Sequence, residues 1–226
     1  MTLPDLTIYT FDWLPEFPRG FVRDLRVRWA AEELGRPYRI ATVPAHPKSD
    51  AHRAMQPFGQ VPIIVDGDMT LFETGAIVLH LAEGSALLPR SRRAEITQWV
   101  IAALNSVEPP ISGWMSRQLA KDMPQFFGPP ASPDLDAHLR KLMEGKLDAL
   151  ERVMTCRDWI AGDFSAADIV MADVLRPVQD RGVLDVFPAL EAYLARATAR
   201  PAFGRALADH MQHWTDAHAA RQAAAT

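Results

Sequence analysis

The chain of 226 residues has one cysteine, Cys156. A single thiol excludes an intrachain disulfide framework and a two-cysteine redox motif, and it fits a reducing cytoplasm. Excess charge is also lacking. Twenty-four Lys and Arg against 28 Asp and Glu leave a net charge of -4. That supplies no basic field for nucleic acid and no polybasic patch for an anionic membrane surface. Long apolar runs are missing: no stretch approaches the roughly 20 residues of a bilayer-spanning helix. The opening MTLPDLTIYTFDWLP has no basic region followed by an apolar core, so it does not read as a secretory signal. The seven histidines show no zinc spacing. His210 and His213, the closest pair, read as solvated helix residues, and no metal is expected. Cys156 reads as a small buried apolar residue closing a helix.

What is present is an ordinary globular balance, 48% apolar and 23% charged, long enough for two compact domains. Residues 6–11 alternate and are β-prone, which predicts a strand. After a proline-bearing loop, 12–20, the segment FVRDLRVRWAAEELG sets Phe21, Leu25 and Trp29 on one face and Arg26 and Arg28 elsewhere. That pattern predicts an amphipathic helix closed by Gly35. A second strand is expected over 37–43, and an irregular stretch with room for one short helix over 44–59. VPIIV, Asp66-Gly67-Asp68 and MTLF form a hairpin signal, because Asp-Gly suits the turn that sheet twist favours. Residues 74–83 are apolar nearly all round and predict a buried helix.

Period-2 patterning ends after Gly84. A linker is expected over 85–92, then helices near 93–121, 134–155, 165–180, 187–199 and 201–217. Residues 124–133 read as a loop and 219–226 as a frayed end. The expected domains are 1–84, a four-stranded mixed sheet with helices, and 92–226, an all-helical bundle without strands. One helix start is strongly specified. Ser165 and Asp168 stand at capping-box spacing, with Phe164 and Ile169 placed to staple across it. Asp168 is therefore read as structural rather than catalytic.

The chemistry concentrates in 59–83. Pro62 stands near a strand start, where it removes a ladder donor. If the preceding bond is cis, the Val61 main chain turns outward, free to pair with an extended peptide. Glu73 and Thr74 sit between a strand and a helix N-terminus. The helix start and the Thr74 hydroxyl suit a carboxylate, and Glu73 suits an ammonium. Together they fit the α-amino-acid end of a short peptide. Taken singly, Thr74 reads as a helix cap and Pro62 as an edge proline.

These segments, QVPIIVDGDMTLFET with FVRDLRVRWAAEELG and DWIAGDFSAADIVMADVL, resemble the bacterial glutathione S-transferase family over nearly the whole chain. The resemblance implies a thioredoxin-like βαβ-ββα domain followed by a helical bundle. It implies a cis Pro62, main-chain pairing of the glutathione cysteinyl unit with Val61, and capture of the γ-glutamyl end by Glu73 and Thr74. Threonine at 74 replaces the family's more usual serine and keeps the hydroxyl. Gln60 occupies a place that often meets the glycine carboxylate, and His46 and Lys48 are further candidates. The family is usually homodimeric and uses glutathione as co-substrate in detoxification.

The departure is at thiol activation, which a hydroxyl, a cation or a helix N-terminus can assist. Family members place Ser, Tyr or Cys in the first loop; TFDWLPEFPRG has none. Arg19, the start of the first helix and the Thr10 hydroxyl remain as donors. The absence of cysteine argues against the branch that forms a mixed disulfide with glutathione. The helix over 93–121 is expected to bend at Pro109-Pro110, with Ser106 before the bend and Trp114 after it. Trp13, Ser106 and Trp114, with Phe126 and Phe127, make an expected pocket for a small hydrophobic electrophile; core packing accounts equally for at least half of the aromatics. The expected activity is conjugation of the glutathione thiolate to such an electrophile. Peroxide reduction by the same thiolate and a non-catalytic binding module are the alternatives.

Overall fold

The computed structural model describes residues 5–224. The element order is β1 (Leu6–Phe11), α1 (Asp24–Glu33), β2 (Tyr38–Val43), α2 (Asp50–Met55), β3 (Ile63–Asp66), β4 (Met69–Phe72) and α3 (Thr74–Ala82). Then follow α4 (Arg93–Ala102), α5 (Glu108–Asp122), α6 (Pro124–Phe127), α7 (Pro133–Met154), α8 (Ala166–Gln179), α9 (Pro188–Thr198) and α10 (Pro201–Ala224). No strand follows Phe72 among the described residues, and no helix is long and apolar enough to cross a membrane. The chain forms two compact units: 1–86 with 199–226, and 87–198. By packing, α10 thus groups with the sheet; period-2 patterning, which sets the sequence boundary, reports strands and not helix partners.

In the first unit the sheet order is β2-β1-β3-β4. β1 and β2 are parallel, joined through α1, while β3 runs antiparallel to both β1 and β4. The hairpin turn is the two residues Gly67 and Asp68, with Gly67 at φ 58°, where a residue without Cβ is least strained. The core is built from Leu6, Ile8, Ile63, Ile64, Trp29 and Ile77, all nearly or fully inaccessible. The Trp29 ring packs edge-on against Phe203 of α10 at 4.8 Å. Truncating a ring buried this way costs about 3–5 kcal/mol.

Helix α1 corrects the amphipathic reading. Residues from Asp24 to Ala31 are all buried, including Arg26 and Arg28, and Phe21 is exposed ahead of the helix. The charges are tolerated because they are paired. Arg28 Nε donates to Asp24 Oδ2 at 2.8 Å and its Nη1 to Asp209 of α10 at 2.5 Å. His210 is likewise buried rather than solvated, and His213 Nε2 donates to the Phe11 carbonyl at 2.9 Å. Covering α1 with α10 puts these side chains inside.

In the second unit the helix expected near 93–121 changes its hydrogen-bond pattern part-way. The α-helical ladder of α4 passes through a π-helical stretch, Ala103–Val107, before α5 begins. Pro109 and Pro110, at the start of α5, directly follow this π-helical stretch and can donate no backbone N–H to the helix. Residues 124–133 are not wholly loop. Pro124–Phe127 make one helical turn, ended by Gly128 at φ 77°. The last helix does not end near 217 but continues to Ala224; residues 225 and 226 lie outside the described residues. Cys156 is exposed, not buried, because it falls in the turn after α7.

The Ser165–Asp168 start of α8 forms as its spacing predicts. Asp168 accepts the Ser165 backbone N–H and hydroxyl, each at 2.9 Å, the Ile160 N–H at 2.9 Å and the Tyr193 hydroxyl at 3.1 Å. Burial pushes its carboxyl up, against those donors. All its partners are structural. The Phe164 ring meets Trp159 edge-on at 4.9 Å.

Candidate functional site

The sheet register gathers the candidate residues at one end. Ile63 pairs with Tyr9 on one side and Phe72 on the other. Val61, two residues before Ile63, therefore lies level with the end of β1, and Glu73 follows β4 at the same end. The Val61–Pro62 peptide is cis. Pro62 is buried and Val61 half-buried, and the Val61 main chain makes no hydrogen bond among the described residues. An unpaired strand entrance beside a central strand is a template for an extended peptide.

Glu73 is the one non-glycine residue with positive φ among the described residues, at 69°. Side-chain-bearing residues adopt this half of backbone space at a cost on the order of 1–3 kcal/mol. Its carbonyl accepts from Ile77 N at 2.9 Å to start α3, while its carboxylate is exposed and unpartnered among the described residues. Thr74 is buried at the first turn of α3. Arg26 Nη1 of α1 donates to its hydroxyl at 3.4 Å. A buried guanidinium, a hydroxyl and a helix start thus adjoin a free carboxylate, a pairing of opposite charges that matches an amino-acid head group.

The loop carrying Gln60 and Val61 is hung on two buried side chains that sequence reasoning missed. His52 of α2 is fully inaccessible, and its Nε2 donates to the Gln60 carbonyl at 2.9 Å. The acceptor is a carbonyl, so the ring proton is on Nε2. Its Nδ1 is buried without a partner. Gln56, also buried, accepts Gln60 N–H through Oε1 at 3.1 Å and Gly59 N–H through its backbone carbonyl at 2.9 Å. A helix of six residues is too short to show which face His52 takes. The Gln60 side chain itself is exposed. Gly59 is at φ 64°, a backbone conformation that side-chain-bearing residues rarely adopt, and a Cβ there would approach the Lys48 stem at 3.2 Å. Lys48 Nζ lies 4.0 Å from the Phe11 ring centroid; burial and then the Arg53 charge hold its amine below the usual range. His46 is exposed, before a cis Pro47.

The remaining candidates are more dispersed. Thr10 is fully buried and its hydroxyl donates to Asp24 Oδ1 at 3.0 Å, so its donor is already engaged. Arg19 Nε and Nη2 both donate to the Leu14 carbonyl, at 3.1 and 2.7 Å, which folds the loop back on itself. It makes no ion pair with Asp12, Glu16 or Asp24. Trp13 stands in the same loop with its indole Nε1 buried and unpartnered. Ser106 and Trp114 belong to the second unit. Ser106 is exposed on the π-helical stretch. Trp114 is a buried core ring, with Arg140 at 6.0 Å from its centroid, and Phe126 is exposed.

Comparison with known proteins bears on the family and the fold. Residues 18–83 match the family model of the glutathione S-transferase N-terminal domain, and residues 109–201 that of the C-terminal domain. Glutathione S-transferase 3 of Zea mays is 30% identical over 201 residues, covering 81% of this chain and 88% of that protein. Glutathione S-transferase F9 of Arabidopsis thaliana is 32% identical over 130 residues; there the match spans 54% of this chain and 59% of the relative. Among solved structures, glutathione S-transferase-I bound with lactoylglutathione has a TM-score of 0.74 at 25% identity, over 91% of this chain and 99% of that one. The chain belongs to the glutathione S-transferase family of enzymes.

Proposed function

We propose that this chain binds glutathione at the Val61, Glu73 and Thr74 end of its sheet and directs the thiolate at a small hydrophobic electrophile. The observation that carries the reading is the unpaired Val61 main chain standing level with the Glu73 carboxylate and the Arg26-Thr74 pair. The cysteinyl unit of glutathione pairs with Val61 as a short added strand. Its γ-glutamyl ammonium meets Glu73 and its carboxylate meets Thr74 and the start of α3. Gln60, with Lys48 and His46, faces the glycine end. The thiol then lies beside the loop that leaves β1, where Arg19 supplies a permanent positive charge that favours thiolate over thiol. Trp13 supplies apolar surface for the second substrate. The protein acts as a homodimer in the cytoplasm, in a detoxifying role.

Conjugation forms a bond from sulfur to the electrophilic carbon; an aryl halide loses halide, and an epoxide opens its ring, its oxygen taking a proton from water. The test is calorimetric titration with glutathione, followed by turnover of aryl halides, epoxides and hydroperoxides. Binding with aryl halide or epoxide turnover supports the reading. Turnover of hydroperoxides alone replaces conjugation by peroxide reduction, and binding without any turnover replaces it by a binding module. Light scattering reads the dimer.

A further inference from the structure

Trp13 carries two guanidinium groups. The Arg221 Cζ of α10 lies 4.2 Å from its ring centroid, and the Arg19 Cζ 5.9 Å. Neither cation has a carboxylate partner among the described residues. Arg19 bonds only a carbonyl, and Arg221 has no acceptor among the described residues. Other arginines on or beside α10 are treated differently: Arg200 pairs with Glu33 and Arg205 with Glu32, both at 2.6 Å. The Asp12 carboxylate next to Trp13 is turned to main chain, accepting Trp13 N at 2.8 Å and Ala45 N at 3.2 Å.

The position of this pair follows from the sheet. β1 ends at Phe11, level with Val61, so the segment bearing Trp13 leaves the sheet beside the Val61 main chain. Arg221, stacked on the indole, keeps its N–H edge free, and that planar edge matches a carboxylate in a two-pronged hydrogen bond, while Arg19, whose Nε and Nη2 are spent on the Leu14 carbonyl, adds its charge. We infer that Arg221, with Arg19 beside it on Trp13, forms an anion subsite for the second substrate, and that the preferred electrophiles carry a carboxylate. This rests on glutathione binding at Val61, and it narrows the substrate from small hydrophobic molecules in general to acidic ones.

The test uses product binding, so that it does not depend on turnover. S-(4-carboxy-2-nitrophenyl)glutathione and its methyl ester are titrated calorimetrically into the full-length protein. The acid binds about tenfold more tightly than the ester, the loss expected when one charged hydrogen bond is removed. In Arg221→Ala the two bind alike, and in Arg221→Lys part of the preference returns. Arg221 is exposed, so its replacement leaves the fold intact. Equal affinity for acid and ester in the unaltered protein overturns the subsite and leaves glutathione binding standing. A preference for the acid that survives Arg221→Ala overturns it too. Failure of both products to bind overturns the glutathione reading, and the subsite with it.

Discussion

His210 donates its Nδ1 hydrogen to Asp24 Oδ2 across 3.2 Å, between residues 186 apart in the chain. The tautomer follows from Trp214, whose indole can only donate and does so to His210 Nε2 at 3.0 Å. Asp24 also accepts from Thr10 and Arg28, so one buried carboxylate ties β1, α1 and α10 together.

Burial raises the Asp24 carboxyl, but the bond from His210 and the bond and charge of Arg28 outweigh it and hold it below the usual range. A carboxyl lowered in the fold stabilises it above its unfolded pKa of about 3.9 and loses that stabilisation as pH falls through the folded value. Asp66, lowered by His80 and Arg36 against its own burial, adds in the same direction. Asp24→Asn should cost about 3–5 kcal/mol at neutral pH, since it leaves Arg28 short of its buried partner. It should also flatten the loss of stability below about pH 5. Urea unfolding across that range reads both effects, and an unchanged acid limb would exclude Asp24 as a source of it.

Glu73 and Thr74 make a paired prediction with opposite signs for binding and stability. Thr74→Ala should weaken glutathione binding by about 1–3 kcal/mol, since it removes a hydroxyl from a charged ligand. Glu73→Gly should weaken binding as well, yet raise the melting temperature, because glycine adopts φ 69° without the Cβ clash. Calorimetry and thermal unfolding separate the two. Lower stability in Glu73→Gly would show that the carboxylate serves the fold rather than the ligand.

Much of this arrangement was legible in the chain because its signals are local. Asp66-Gly67 set the hairpin within four residues, and Ser165 with Asp168 set the start of α8. Strand order placed Val61-Pro62 and Glu73-Thr74 at one end of the sheet, and the register has them there. The burial of Arg28 was not legible, because its partner Asp209 is 181 residues away and no periodicity reports it. His210 was misread for the same reason: a polar residue on a helix reads as solvated until the helix covering it is known. Thr10 shows the limit at a single residue. Its place beside the loop suggested a donor to sulfur, while the Asp24 acceptor that engages it depends on tertiary packing.

His52 should behave as a positioning residue. His52→Phe keeps a ring near Phe11, which His52 meets edge-on at 6.4 Å, but leaves the Gln60 carbonyl without its donor. The expected result is a several-fold rise in KM for glutathione with kcat little changed, because the Gln60 and Val61 main chain is misplaced rather than the thiol chemistry altered. His52→Gln, which restores an N–H donor, should recover most of the affinity. A role in packing alone would give the reverse pattern, with Phe tolerated and Gln damaging.

Arg19 and Thr10 can be separated by the pKa of the bound thiol, followed through thiolate ultraviolet absorbance in a pH titration. Arg19 keeps its charge whatever it bonds, and its neutral acceptor at Leu14 does not cancel it. Arg19→Ala should therefore raise the thiol pKa of bound glutathione by about one unit or more and cut turnover at neutral pH, with glutathione affinity mostly retained. Arg19→Lys should hold the thiol pKa nearer its original value, since charge is kept while the forked bond to Leu14 is lost. Thr10→Val should leave the thiol pKa in place and lower stability instead, because its hydroxyl donates to Asp24 inside the core. A raised thiol pKa in Thr10→Val with none in Arg19→Ala would transfer activation to the buried Thr10–Asp24 pair. No shift in either would leave the N-terminus of α1 as the source, since its backbone dipoles persist in both variants.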